Sequence, residues 1–352
     1  GGDLELAGGT VSIDVPAGSS ILPTFSSLTV ADGVTVTHSA NGTSHQYSLM
    51  LAVTGDMYLA SGGAISADGL GYNGSTGPGS APNGSSSAGG GGHGGDGGSG
   101  QHGSGGTTCG SIREPSEPGS GGGYTTNWGV AGGKGGGVIR IDVGGAFTVD
   151  GTITAAGATG NVYDYAASGG GAGGSIRIAA GTLAGTGTIS ASGGSGAVSG
   201  NQAGGGSGGR IALYYGTESF AGDITAYGGE GYRYGAAGTI YKEGSGDING
   251  TMIVDNDGHT SNAAMTSFAV ESSIFDAVEL SRTWVGFGAQ TAFSAAQFTA
   301  VTGTVIFDVP SDSTALPVFD AVDILSGATL TQSYTAAFNR MVNKLRDALQ
   351  QV

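Results

Sequence analysis

The stretch Gly-Gly-Val-Ile-Arg-Ile at residues 136–141 recurs twice further along the chain, as Gly-Gly-Ser-Ile-Arg-Ile at 173–178 and as Gly-Gly-Arg-Ile-Ala-Leu at 208–213. The first isoleucine of the stretch returns after 37 and then after 35 residues. A repeat of this length is typical of solenoids, in which each unit stacks on the one before it.

A second short motif follows each copy: Gly-Thr-Ile-Thr-Ala at 151–155, with equivalents at 187–191 and 222–226. In both motifs apolar and polar residues alternate with a period of two, which is the pattern of a half-buried β-strand. The strands are separated by glycine-rich turns and not by a helical pattern.

These patterns predict an all-β fold, a parallel β-helix in which Ile139, Ile176 and Ile211 lie directly above one another. The alternative is a β-sandwich built from hairpins. It is less favoured because equivalent strands recur in register and Asn-Gly hairpin turns between strands are scarce.

Glycine is the dominant feature of the composition, with 76 of 352 residues. This is about a fifth of the chain, against a usual ~7%. The glycines are unevenly distributed, and 38% of the residues are hydrophobic. The composition therefore favours an ordered solenoid with glycine-packed loops over a disordered chain.

Charge and cysteine content exclude several classes of function. The chain has 11 Lys and Arg against 27 Asp and Glu, a net charge of −16, which argues against nucleic-acid binding because that requires clustered basic residues. Cys109 has no partner for an intrachain disulfide. No run approaches the roughly 18 apolar residues of a membrane span. We interpret the start at Gly1-Gly2-Asp3 as a processed product and expect a secreted or cell-surface protein.

The chain divides into four parts by composition and repeats. They are N-terminal β-helix coils at 1–72, a glycine-rich insertion at 73–134, further β-helix coils at 135–334 and an amphipathic helix at 335–352. Residues 9–37 and 303–331 are near-duplicates, so similar coils lie near both ends of the chain. A partial third copy, Phe275–Leu280, matches Phe319–Ile324.

The glycine-rich insertion has two interpretations. It is either a flexible linker or a set of packed strands in the polyglycine II conformation, in which backbones without side chains touch and hydrogen-bond. The packed form is favoured, because similar glycine runs recur at 168–174 and 204–209, at the same point of later repeats.

The C-terminal segment has a different period. Apolar residues at intervals of three and four predict a helix with one apolar seam: Phe338, Met341, Leu345, Ala348 and Val352. The helix either covers the last coil of its own chain or pairs with partner helices, and the candidate assembly contacts are Phe338, Met341, Leu345 and Leu349.

No set of residues predicts an active site. Asp142, Asp150 and Asp223 are scattered and are interpreted as turn residues, whereas a glycosidase needs two carboxylates in one cleft. Arg140 and Arg177 occupy equivalent strand positions, and no aligned aspartate cluster is expected beside them. We therefore expect no enzyme activity and no cofactor.

Two further groups of residues have some resemblance to metal sites. Asp255 and Asp257 resemble part of a calcium loop but lack its glutamate. His93, His102 and Cys109 lack paired zinc spacing and are interpreted as polar loop residues.

The chain resembles a recurring glycine-rich module of large bacterial secreted and surface proteins. The resemblance is carried by residues 63–72, 117–123, 208–215 and 237–242 together with the Ile-Arg-Ile strands. It implies a parallel β-helix on the cell exterior with an adhesive or architectural role, and it implies no active-site residues. By composition alone, the insertion also resembles the polyglycine tips of some phage adhesins.

Three functions remain open. The first is a non-enzymatic structural protein that self-assembles into a filament or surface layer, or acts as an adhesin; its partners are copies of itself, head to tail or through a coiled coil. The second is a glycan-binding phage tail fibre or bacterial adhesin module, with Tyr163, Tyr165, Tyr232 and Tyr234 as candidate glycan contacts. The third is a polysaccharide lyase or hydrolase.

Overall fold

A computed structural model describes residues 2–257, 259, 264–268, 273–287, 292–309 and 317–332, and these residues form an all-β fold without any helix. The N-terminal strands are β1 (Asp3–Leu6), β2 (Gly9–Ser12), β3 (Val15–Pro16), β4 (Thr24–Phe25), β5 (Ser27–Val30), β6 (Val34–Thr37), β7 (Tyr47–Val53), β8 (Met57–Leu59) and β9 (Ala64–Ser66). The central strands are β10 (Val138–Val149), β11 (Thr152–Thr154), β12 (Val162–Tyr163), β13 (Ala166–Ala167), β14 (Ser175–Gly185), β15 (Thr188–Ser190), β16 (Arg210–Phe220), β17 (Asp223–Thr225) and β18 (Thr239–Gly244). The last strands are β19 (Thr251–Asp255), β20 (Thr266–Ser267), β21 (Ser273–Ser281), β22 (Trp284–Gly286), β23 (Phe293–Asp308), β24 (Val318–Ile324) and β25 (Ala328–Gln332).

The long strands β7, β10, β14, β16 and β18 lie side by side and are all parallel. Their register places Ile139 opposite Ile176 and Ile176 opposite Ile211. The isoleucine ladder expected from the sequence is therefore confirmed. This register requires that the glycine-rich segments between the strands return the chain to the same position along the strand direction, so that equivalent residues of successive repeats pair.

The second motif of each repeat forms a second parallel sheet, in the order β17-β15-β11-β9-β6-β2. Here Ile65, Ile153, Ile189 and Ile224 occupy successive rungs. Three of these four are fully buried, and they belong to the same core cluster as Ile139, Ile176 and Ile211. Each fully buried isoleucine contributes about 1.5–3 kcal/mol of burial free energy, so the core is a stack of aligned aliphatic side chains.

The strand direction reverses between β18 and β19. The prediction of β-helix coils over residues 135–334 does not include this reversal: β19 pairs antiparallel with β18, placing Ile253 opposite Ile240. Strands β19, β21, β23 and β24 are then parallel to one another. The core changes face of the sheet at the same point: Ile240 belongs to the first cluster and its neighbour Tyr241 to a second one.

The second core cluster is largely aromatic. Phe268, Phe287, Phe293 and Phe307 contact one another with ring centroids 5.0 to 5.5 Å apart. Such ring pairs stabilise a core beyond the burial of their area. The described residues therefore enclose two large cores, one on each face of the shared sheet, and a small alanine cluster among the glycine-rich segments.

The two near-duplicate end segments adopt the same strand pairing. Val34 lies opposite Gly9 in the pair β2–β6, and Ala328 lies opposite Gly303, the equivalent residue, in the pair β23–β25. The partial third copy also aligns, because Phe275 and Phe319 both lie opposite Ala295, on the two sides of β23. The predicted helix at 335–352, with Phe338, Met341, Leu345 and Leu349, lies outside the described residues.

Glycine-rich segments leave the strands, turn and return to start the next strand. We call these segments the glycine runs; they are residues 88–92, 94–100, 103–107, 119–123, 131–136, 155–160, 168–174, 191–197, 203–209, 226–231 and 234–238. Their backbones hydrogen-bond to one another, as in the bonds from Gly90 to Gly98 (2.8 Å) and from Gly91 to Gly170 (2.9 Å). The run 88–92, which belongs to the insertion, is buried, so the insertion is packed against the repeats and is not a flexible linker.

The run 168–174 has a threefold pattern of hydrogen bonds. Every third N–H group donates to the same neighbour: residues 169 and 172 to the run 119–123, residues 170 and 173 to the run 203–209, and residues 171 and 174 to the run 155–160. Its carbonyl groups accept from the runs 88–92, 131–136 and 191–197. The run is thus surrounded by other runs and satisfies its buried backbone groups through them, as buried polar groups require.

The close approach of the runs explains why the positions are glycine. A Cβ atom at Gly169 would lie 1.7 Å from the carbonyl oxygen of Gly89, and one at Gly204 would lie 1.8 Å from that of Gly98. No side chain fits at such a distance, because the atom it would strike is rigid backbone.

Candidate functional site

The loops that connect outgoing and returning glycine runs form one continuous surface. We call it the tip surface; it consists of loops 84–87, 99–103, 125–130, 161–167, 198–202 and 231–234. Asn201 Nδ2 donates to the Tyr165 carbonyl oxygen at 2.6 Å, and the Gln202 N–H donates to Gln101 Oε1 at 2.9 Å. The remaining links are main-chain bonds from Thr126 to Gly84, from Ala167 to Ser86 and from Arg233 to Ser99.

Three of the four predicted tyrosines project from this surface. Tyr163 is 66% exposed, Tyr165 62% and Tyr232 44%. Tyr234 differs because it is half-buried. Its ring stacks on that of His259, with the two ring centroids 3.9 Å apart and an interplanar angle of 11°. The structure therefore brings the loops of the first three together and uses the ring of the fourth in an internal contact.

Other exposed apolar side chains of the tip surface were missed from the sequence. Trp128, Val162 and Val198 are exposed in the same loops. The signal that could have found them is position: each lies between two glycine runs, as the predicted tyrosines do.

The tip surface carries few charged side chains. Its loops contain asparagine, glutamine, serine and threonine, and their acidic and basic residues are Asp164 and Arg233, with His102 as a further titratable group. Amide and hydroxyl groups donate and accept hydrogen bonds without carrying a charge. Exposed rings add flat apolar area with a polar edge. This combination suits an uncharged ligand rich in hydroxyl groups.

The residues considered for zinc lie in different surroundings. His93 is fully buried, and its Nδ1–H donates to the Gly173 carbonyl oxygen at 2.8 Å. The Cys109 N–H donates to the His93 carbonyl oxygen at 2.8 Å, whereas His102 lies on the tip surface, with Nδ1 3.2 Å from Ser87 Oγ. Among the described residues, no group of three or more His, Cys, Asp and Glu side chains is arranged to hold a metal ion.

The calcium candidates contact a cation of the protein itself. Arg282 pairs with Asp255 at 2.9 Å and approaches Asp257 at 3.7 Å. The Arg282 guanidinium group therefore balances part of the negative charge of the two carboxylates.

Two acidic side chains from different segments, Asp142 and Glu114, accompany Arg140 and Arg177; they are not the aligned aspartate cluster that a lyase would need. The two arginines lie opposite each other on β10 and β14. Asp142 is a strand residue and not a turn residue, and its carboxylate pairs with both Arg140 (3.0 Å) and Arg177 (2.7 Å). Glu114 of the glycine-rich insertion adds a second pair to Arg177 at 2.9 Å.

This charged cluster borders a groove of about 670 Å³ on the outer face of the sheet. Asp142, Tyr214 and Glu243 line it. The Arg177 guanidinium lies 4.8 Å from the centroid of the Tyr214 ring. Burial, and secondarily the Glu114 carboxylate, raise the pKa of Tyr214 to about 12. This phenol is therefore neutral at physiological pH, and its hydroxyl group donates a hydrogen bond to the Arg113 carbonyl oxygen.

Comparisons with known proteins add no assignment: no protein-family model matches the chain, and neither curated proteins nor solved structures gave a match. The described part of the chain contains no helix long and apolar enough to cross a membrane.

Proposed function

We propose that the chain is an extracellular adhesin-type module that binds surface glycans through the tip surface. The observation that carries this proposal is the collection of exposed Tyr163, Tyr165 and Tyr232 on loops held by a rigid set of glycine runs. Loops that are variable in shape but fixed in position by a scaffold are the usual place for binding residues. Binding, and not catalysis, is the activity that we assign to this surface.

The scaffold in this proposal is a parallel β-helix whose repeats each carry a glycine hairpin in the polyglycine II conformation. In-register isoleucines on two parallel sheets support the β-helix, and the threefold hydrogen-bond pattern of the run 168–174 supports polyglycine II. We further propose membership of the glycine-rich module of bacterial secreted and surface proteins that the sequence resembles.

A glycan array with matched variants tests the binding proposal. The wild-type protein is expected to bind a subset of glycans, and the double variant Tyr163→Ala/Tyr165→Ala is expected to lose at least tenfold in affinity for them. Tyr58→Ala is the control, because Tyr58 is also an exposed tyrosine but lies on β8, outside the tip-surface loops. Absence of any glycan bound by the wild type, or equal loss in the control, would contradict the proposal.

Self-assembly is a second candidate function, favoured by the identical pairing of the two end segments. Among the described residues, β2 pairs only with β6 and β25 only with β23, so each leaves one strand edge without a partner. Such edges are templates for another chain, and similar ends permit head-to-tail stacking.

Light scattering combined with electron microscopy tests assembly. Filaments whose length increases with concentration would support head-to-tail stacking, whereas a closed trimer would support pairing through the helix predicted at 335–352. A monomer at high concentration would exclude both forms of assembly.

A further inference from the structure

A serine, a histidine and a glutamate lie next to one another beside the N-terminal strands. His45 Nε2 is 2.9 Å from Ser48 Oγ, and His45 Nδ1 is 3.8 Å from Glu117 Oε2. A nucleophile within about 2.6–3.2 Å of its base, with a third group orienting the base, is the arrangement of a catalytic triad. The base-to-acid distance of such sites is often longer when no substrate is bound.

The three residues come from two distant parts of the chain. His45 precedes β7, and Ser48 is the second residue of that strand, opposite Val15 of β3. Glu117 belongs to the glycine-rich insertion, where Ser175 Oγ donates to its main-chain oxygen at 2.6 Å. The folding of the insertion onto the sheet therefore completes the group.

All three residues line one cavity of about 410 Å³. Arg140 and Arg177 line the same cavity, where ion pairs with Asp142 and Glu114 hold their guanidinium groups in place. Guanidinium N–H groups held in this way can donate hydrogen bonds to the oxyanion that forms when an acyl group is attacked. Met50, Pro115 and Val138 add apolar wall, which suits a small acyl group.

The protonation state of His45 fits the role of a base. Burial lowers the pKa of His45, and the nearby Glu117 carboxylate partly opposes this effect. A neutral imidazole with its proton on Nδ1 faces Glu117 with an N–H group and faces Ser48 with an unprotonated Nε2. This is the tautomer that accepts the serine proton.

We propose that Ser48, His45 and Glu117 form a hydrolytic site for short-chain carboxylic esters. Ser48 Oγ attacks the ester carbonyl carbon and passes its proton to His45 Nε2. The carbon–oxygen bond to the alcohol then breaks, and the alcohol leaves with that proton. Water attacks the acylated Ser48, His45 takes a proton from the water, and the acid is released as the proton returns to Ser48.

In this scheme Ser48 and His45 are catalytic residues and Glu117 is a positioning residue. The site shares no residue with the tip-surface loops and is independent of the binding proposal. It departs from the sequence-based expectation that the protein is not an enzyme.

Labelling with a fluorophosphonate probe, located by mass spectrometry, tests the proposal on the wild-type protein. We expect the label on Ser48, together with hydrolysis of 4-nitrophenyl acetate. Ser48→Ala should abolish the label and lower the hydrolysis rate at least a hundredfold, and His45→Gln should do the same. Ser44→Ala, an exposed serine of the same loop, is the control and should retain both.

Glu117→Gln separates positioning from structure. It should lower the rate about tenfold or more and change the pH profile of hydrolysis, since the carboxylate opposite His45 Nδ1, beside Glu114, Arg140 and Arg177, is lost. A wild-type protein without label on Ser48, or a hydrolysis rate that is unchanged in folded Ser48→Ala, would overturn the proposal. If Ser48→Ala does not fold, the proposal is decided by the presence of the label on Ser48 of the wild-type protein and by the hydrolysis rate of His45→Gln.

Discussion

His93 Nδ1 donates a hydrogen bond of 2.8 Å to the carbonyl oxygen of Gly173, 80 residues further along the chain. This bond ties the glycine-rich insertion to the run that the other glycine runs surround. The ring is fully buried, and the positive charge of the buried Arg210 guanidinium acts on it.

We predict that His93 makes the fold sensitive to mild acid. Burial, followed by the Arg210 charge, lowers the pKa of His93 from 6.5 to about 4. Between these values the unfolded chain binds more protons than the folded one, so the free energy of unfolding decreases as the pH falls through this window. The loss due to His93 is at most about 3 kcal/mol.

Urea denaturation at pH 7 and pH 4.5 measures this effect. Burial also lowers the pKa of His38 and His45, so the decisive comparison is with His93→Gln, which keeps a hydrogen-bond donor but does not titrate. The variant should lose less stability between the two pH values than the wild type does. Equal losses would show that His93 does not titrate in this window.

A single methyl group in the glycine runs should be severely destabilising. In Gly204→Ala the new Cβ would lie 1.8 Å from the Gly98 carbonyl oxygen, and the backbones cannot separate without breaking their hydrogen bonds. We expect a loss of about 3 kcal/mol or more. Gly246→Ala is the control, since nothing lies within 4 Å of its Cβ position; similar melting temperatures for the two variants would contradict the packing of the runs.

The isoleucine ladder could be predicted from the sequence because it depends on spacing alone. Strand direction could not, since β18 and β19 both alternate with a period of two and that pattern is the same for parallel and antiparallel pairing. In the antiparallel pair of Ile240 with Ile253, residues 245–250 return the chain directly along the strand that it has just left.

The tip tyrosines could be predicted from the sequence as candidate ligand contacts because glycine runs flank them. Which of them project into solvent and which make internal contacts could not be predicted. Whether a ring projects, like that of Tyr165, or stacks on His259, like that of Tyr234, depends on a contact between distant segments. The same holds for Glu114, which reaches Arg177 only because the insertion folds back over the sheet.

The centre of the ladder should be the most sensitive part of the first core. Ile176 is fully buried between Ile139 and Ile211, so Ile176→Ala should lower the free energy of unfolding by about 2–5 kcal/mol and Ile176→Val by about 0.5–1.5 kcal/mol. Ile248→Ala is the control, because Ile248 is 85% exposed. A smaller effect at Ile176 than at Ile248 in urea denaturation would be incompatible with the stacked core.

Tyr165 and Tyr234 should respond in opposite ways to replacement by alanine. Tyr165 projects into solvent, so Tyr165→Ala should change the free energy of unfolding by less than about 0.5 kcal/mol while weakening glycan binding. Tyr234→Ala removes the stacking contact with His259 and should cost about 1 kcal/mol of stability. Urea denaturation and glycan binding, measured on both variants, separate the two roles. If Tyr165→Ala loses as much stability as Tyr234→Ala, the projecting ring of Tyr165 supports the tip loops. A loss of glycan binding in Tyr165→Ala would then result from disordered loops and not from a lost ligand contact.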